Sequence, residues 1–132
     1  MGWWNQTGPK TKAQLASTSS VVDPTAASKL IGGDGNPVYV SDTYSPYYVK
    51  VDDYLIKVTT NKGPVRVVLP SLSSVGVNKE FIIKSDSTVS ESKQVIIAGD
   101  GSDKIDGQRT FILDDAYSAV TIVSTNIGWE IF

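Results

Sequence analysis

The stretch "YLIKVTTNKGPVRVVLP", residues 54–70, decides how this chain folds. In its first half, Tyr54, Ile56 and Val58 fall on one face of an extended strand, and Lys57 and Thr59 on the other. Its second half repeats the pattern, with Val65, Val67 and Leu69 opposing Arg66. Between the halves, "NKGP" (61–64) supplies a tight turn. Pro70 ends the second run because it has no N–H to give a ladder. One apolar and one polar face per run is the pattern of an antiparallel sheet solvated on one side.

The pattern extends in both directions. "YYVKV" (47–51) precedes this stretch, and "EFIIKS" (80–85), "QVIIA" (94–98), "RTFIL" (109–113), "AVTIVS" (119–124) and "GWEIF" (128–132) follow it. No 10-residue window carries a helical period. About eight short strands in about 90 residues predict an all-β fold, an antiparallel, jelly-roll-like β-sandwich. In "GWEIF", Trp129 and Ile131 oppose Glu130, so the last strand is expected to be tied into the sheet. Around the first strand, Tyr44, Tyr47 and Tyr48 place large rings on both faces. They are candidate subunit-interface residues, with ordinary core packing as the competing reading.

Residues 1–41 read differently. They are rich in Ser, Thr, Ala, Gly and Pro, and "ASTSSVVDPTAAS" cannot build a core. "DPTAASKLI" is compatible with a short helix, with Asp23 as N-cap and Pro24 at the first position. The expected organisation is an extended N-terminal arm (1–41) and a β domain (42–132). Trp3 and Trp4 have no local core to join, and tryptophan is a favoured interface anchor. With Leu15, Val21 and Val22 they form the candidate partner-binding set of the arm. The alternative is that they fold back onto the β domain.

The composition excludes several chemistries. The 132 residues contain no Cys and no His. Disulfides, thiolate nucleophiles, zinc–sulfur sites and His-based triads are therefore ruled out. Twelve basic against fourteen acidic residues give a net charge of −2 without a basic stripe, so nucleic acid is not an expected partner. No run approaches the ~18 apolar residues of a membrane helix, and the N-terminus lacks a secretory apolar region.

"AGDGSDKIDG" (98–107) matches part of a calcium nonapeptide at Gly99, Gly101, Asp103 and Ile105. It stands as a single copy, whereas such sites are completed by stacked neighbours. The expectation is a strand connection in which Gly99, Gly101 and Gly107 supply positive φ and Ile105 fills the core. Asp52-Asp53 and Asp114-Asp115 are adjacent pairs, so along a strand their carboxylates diverge and cannot flank one sugar. "GGDG" (32–35) lacks the phosphate-loop ending. No catalytic residue, metal or cofactor is expected.

The order "DDYLIKVTT", "GPVRVVLPS", "GVNKEFIIKS", "VIIAGDGSDKIDG", "FIL", "YSAVTIVS", "GWEIF" resembles the β-rich module of tailed-bacteriophage virion proteins. Tail fibres, head fibres and capsid decoration proteins carry it. The resemblance covers roughly residues 42–132. It implies a non-enzymatic, homotrimeric building block located on the virion. A nearly free-standing module behind one arm is similar to decoration or head-fibre proteins. This implies docking on the major capsid protein, or on other virion proteins, through the arm. One rival is a tail-fibre or baseplate adhesin binding a host-surface glycan through Tyr and Trp. The other is a small carbohydrate-active enzyme.

Overall fold

β-Branched and aromatic residues dominate the extended segments because they pack well on a pleated, half-buried surface. The computed structural model describes residues 36–132. Nine strands form there: β1 (Val38–Val40), β2 (Tyr47–Tyr48), β3 (Leu55–Val58), β4 (Val65–Val68), β5 (Glu80–Ser85), β6 (Val95–Ala98), β7 (Thr110–Leu113), β8 (Ala119–Ser124) and β9 (Trp129–Ile131). Among the described residues, one α-helical turn, α1 (Leu72–Val75), links β4 to β5, and a 3-10 turn (Asp42–Tyr44) links β1 to β2. Each expected run becomes a strand, and β1 is an addition. Among the described residues, the β fold thus includes Val38–Val40, upstream of residue 42. Three residues following "GGDGNP" are too short a run to read as a strand.

The strands form two sheets, β1-β3-β5-β8-β9 and β2-β4-β6-β7. The chain crosses from one sheet to the other after each of its first five strands. As a result β1, β3 and β5 pair in parallel, as do β2, β4 and β6. Only β5–β8, β6–β7 and β8–β9 are antiparallel. The all-β, two-sheet expectation holds, while the antiparallel one gives way to mixed sheets. Alternation is the same in parallel and antiparallel pairs, so it carries no information on strand direction.

The "NKGP" turn shows how the direction is set. It joins β3 to β4, which lie in different sheets, so it is a corner and not a hairpin. Thr60 anchors this corner and is fully buried. Its N–H donates to Thr88 Oγ1 at 2.7 Å, and its hydroxyl lies 2.9 Å from Lys93 O and 3.1 Å from Thr88 O. Residues 86–94 form the equivalent corner of the next rung, so one corner is stacked on the other.

Three parallel rungs therefore stack, closed at one end by the antiparallel β7, β8 and β9. Ile56 pairs with Val38 on one side and Ile83 on the other. In the facing sheet, Val67 pairs with Tyr47 and Ile97. These side chains meet in one core that also holds Phe81, Ile105, Ile122 and Trp129. Burying each such aliphatic side chain is worth about 1.5–3 kcal/mol.

Candidate interaction surfaces

Outward-facing residues form continuous rows because parallel register stacks like on like. On the four-stranded sheet, one row runs Tyr48, Val68, Ala98, Thr110. The next runs Arg66, Ile96, Ile112. Tyr48 is exposed, and Val68, Ile96 and Ile112 are half-buried. The outward row Leu55, Ile82, Thr121 on the five-stranded sheet is also half-buried and mostly apolar. Both outer faces thus carry more apolar surface than solvent-facing strands need. The legible sign was consecutive apolar residues, as in "VII" (95–97) and "FIL" (111–113), which leave no strand face polar.

The three candidate tyrosines have different placements. Tyr48 points outward at 65% exposure. Tyr44 is half-buried against the core. Tyr47 turns inward and is buried. Its hydroxyl donates to Asp53 Oδ2, which also accepts from the Lys50 N–H at 2.8 Å. Burial foremost, then the hydrogen bond to Asp53 and the charges of Asp53 and Asp52, push the Tyr47 phenol well above its usual range. Trp3, Trp4, Leu15, Val21 and Val22 lie outside the described residues.

The 98–107 loop is built by structural contacts. Gly101 and Gly107 take positive φ, as expected, and so does Asp106. Gly99 does not, and its role is close approach, because a Cβ there would run into the Asp103 carbonyl. Asp103 Oδ2 accepts from the Leu72 N–H at 3.1 Å, satisfying a donor in the first turn of α1. Asp106 Oδ1 accepts from the Ile131 N–H at 3.3 Å. Ile105 is buried and bridges to Trp129, whose backbone N–H donates to Lys104 O at 2.8 Å. The loop is thus stitched beside β9, and two of its three carboxylates accept backbone N–H groups. An open cleft of about 530 Å³ lies between it and the β8–β9 turn, lined by Asp103, Lys104, Asp106, Thr125, Ile127 and Trp129.

Among the described residues, no group of three or more Asp, Glu, His or Cys is placed to hold a metal ion. Asp53 is buried while Asp52 is exposed, so that pair diverges. Asp114 is half-buried and Asp115 exposed. Asp86 caps the second corner. Burial works to raise its pKa, but the Thr59 and Thr88 hydroxyls, the Thr88 N–H and the charge of Lys57 together hold it below the ordinary value. No protein-family model matches this sequence, and no curated protein matches it.

Proposed function

We propose that this chain is a bacteriophage structural protein, a capsid decoration or head-fibre protein. Its arm docks on the shell and its β domain associates with copies of itself as a homotrimer on the virion surface. One observation carries the reading. All-parallel sheets occur almost only where both faces are covered, and the parallel part of each mixed sheet here presents half-buried Val68, Ile96 and Ile82 to solvent. Neighbouring copies supply the missing cover. They also shield the short edge strands β1 and β2 from uncontrolled strand addition. Many weak contacts then add through multivalency to brace a shell. The role needs no chemistry beyond burial.

The test uses the full chain, the Ile96→Lys variant and a deletion of residues 1–22. Sedimentation is expected to show an oligomer for the full chain and a folded monomer for Ile96→Lys. Deleting the first 22 residues is expected to abolish binding to expanded capsids while leaving the β domain folded. A monomeric full chain that binds no capsid overturns the reading.

A further inference from the structure

The five-stranded sheet brings together four residues that sequence spacing does not connect. Tyr39 pairs with Lys57, and Lys57 pairs with Lys84, all in parallel register and all pointing outward. Neighbouring strands are ~4.8 Å apart, so the two lysines sit side by side. Like charges directly opposite across strands are destabilising, so folding alone gains nothing from this pairing. Asp86 is the nearby carboxylate, and it already accepts from the Thr59 and Thr88 hydroxyls and the Thr88 N–H. The charge of Lys57 thus acts on a carboxylate that is largely engaged, and Lys84 Nζ turns instead to Tyr117 O.

Tyr117 closes the row. It is 65% exposed. Its backbone sits at φ 61°, a left-handed conformation that a bulky side chain adopts only under constraint. The constraint is visible. Lys84 Nζ donates to Tyr117 O at 2.8 Å and lies 5.8 Å from the ring centroid. The next residue is clamped too: the Ser118 N–H donates to Ser85 Oγ at 2.9 Å, and the Ser85 N–H to Ser118 O at 2.8 Å. A strained, braced and exposed aromatic beside paired cations is the kind of outlier that marks a ligand clamp.

We propose that Tyr39, Lys57, Lys84 and Tyr117 form a binding row for an anionic saccharide. Its carboxylate or sulfate bridges the two ammonium groups, and the tyrosine rings on either side receive the apolar faces of sugar rings. Tyrosine suits this because its ring is apolar and its hydroxyl stays wet. Two paired lysines match one carboxylate or sulfate at a time, whereas a polyphosphate needs several cations. The site stands apart from the virion reading, since a free domain would bind in the same way.

The experiment titrates the full chain with three oligosaccharides of equal length, one sulfated, one built on hexuronic acid and one neutral. Calorimetry and NMR shifts follow the binding. At least one anionic sugar is expected to bind with a dissociation constant of about 1 mM or tighter, the scale of a few exposed contacts. The neutral sugar is expected to bind at least about tenfold more weakly, and salt to weaken the anionic complex. Lys57→Gln is expected to lose about tenfold, the loss of one charge-assisted contact. Tyr117→Gly relieves the positive φ while deleting the ring, so it is expected to lose binding with an unchanged or raised Tm. The proposal is overturned if neither anionic sugar binds, if the neutral sugar binds equally, or if Lys57→Gln or Tyr117→Gly binds like wild type. Equal binding of polyglutamate or a single-stranded oligonucleotide also overturns it, because the face would then not select saccharides.

Discussion

The Tyr47 hydroxyl donates a 2.7 Å hydrogen bond to Asp53 Oδ2 inside the folded domain, and both side chains are buried. The other carboxylate oxygen, Oδ1, is buried without a partner. This pair joins the second strand to the approach to the third, so it fixes the first rung of the stack. Tyr47→Phe keeps the ring and removes the donor, leaving Asp53 Oδ2 with only the Lys50 N–H. The expected loss is about 1–3 kcal/mol, read from urea unfolding at pH 7.

The same pair sets an alkaline limit. The folded-state pKa of Tyr47 is raised, so folding favours the neutral phenol. That contribution is complete below the ordinary value of 10.0 and is lost as pH rises beyond it. Wild-type stability is expected to fall above pH 10, and Tyr47→Phe to fall less steeply there. Parallel slopes for the two proteins in thermal melts would show that the phenol contributes nothing.

Acid works through Asp86. Its folded pKa lies below the ordinary 3.8, so its contribution is present above that value and fades as pH falls through the folded pKa. The carboxylate is partly solvated, so the effect is modest. Asp86→Asn is expected to be less stable at pH 6 and to converge with wild type only as pH falls below 3.8 and through the lowered folded pKa. A constant gap between the two melting curves down to pH 2 would disprove the linkage.

The 98–107 loop separates two uses of glycine. At Gly99 a Cβ would lie 2.8 Å from the Asp103 carbonyl carbon, and backbone cannot swing aside as a side chain can. Gly101 has open space but a φ of 56°. Gly99→Ala is expected to cost about 2–3 kcal/mol and Gly101→Ala about 1 kcal/mol in chemical denaturation. Calcium is expected to leave the Tm of wild type and of Asp103→Ala unchanged. A calcium-dependent rise in wild type alone would mean that the loop also holds the ion.

Much of the fold was legible, because period-2 alternation is a direct consequence of strand geometry. Val58 and Val67 read as inward from spacing alone, and both are fully buried. Direction was not legible, since "NKGP" serves a corner as well as a hairpin and only the distant Thr88 and Lys93 reveal which. Tyr47 and Tyr48 are adjacent aromatics, and chemistry alone did not say which turns inward. The pairing of Lys57 with Lys84 is a property of register between strands separated by a whole rung. Local sequence contains no trace of it.

Trp129 tests the closing end of the stack. It is 1% exposed and packs against Phe81, ring centroids 5.7 Å apart and planes tilted by 43°. Its backbone is held on both sides, donating to Lys104 O and accepting from the Asp106 N–H, each at 2.8 Å. Yet Nε1 is buried with no hydrogen-bond partner. The indole therefore contributes packing while carrying an unsatisfied donor. Trp129→Ala loses the packing and leaves a cavity, with an expected cost of about 3–5 kcal/mol. Trp129→Phe loses less volume and removes the orphan N–H, whose desolvation penalty is about 1–3 kcal/mol. These two terms oppose each other, so Trp129→Phe is expected to fall within about 1.5 kcal/mol of wild type. Urea unfolding followed by far-UV circular dichroism measures both variants. A phenylalanine variant as unstable as the alanine one would show that Nε1 has a partner in solution.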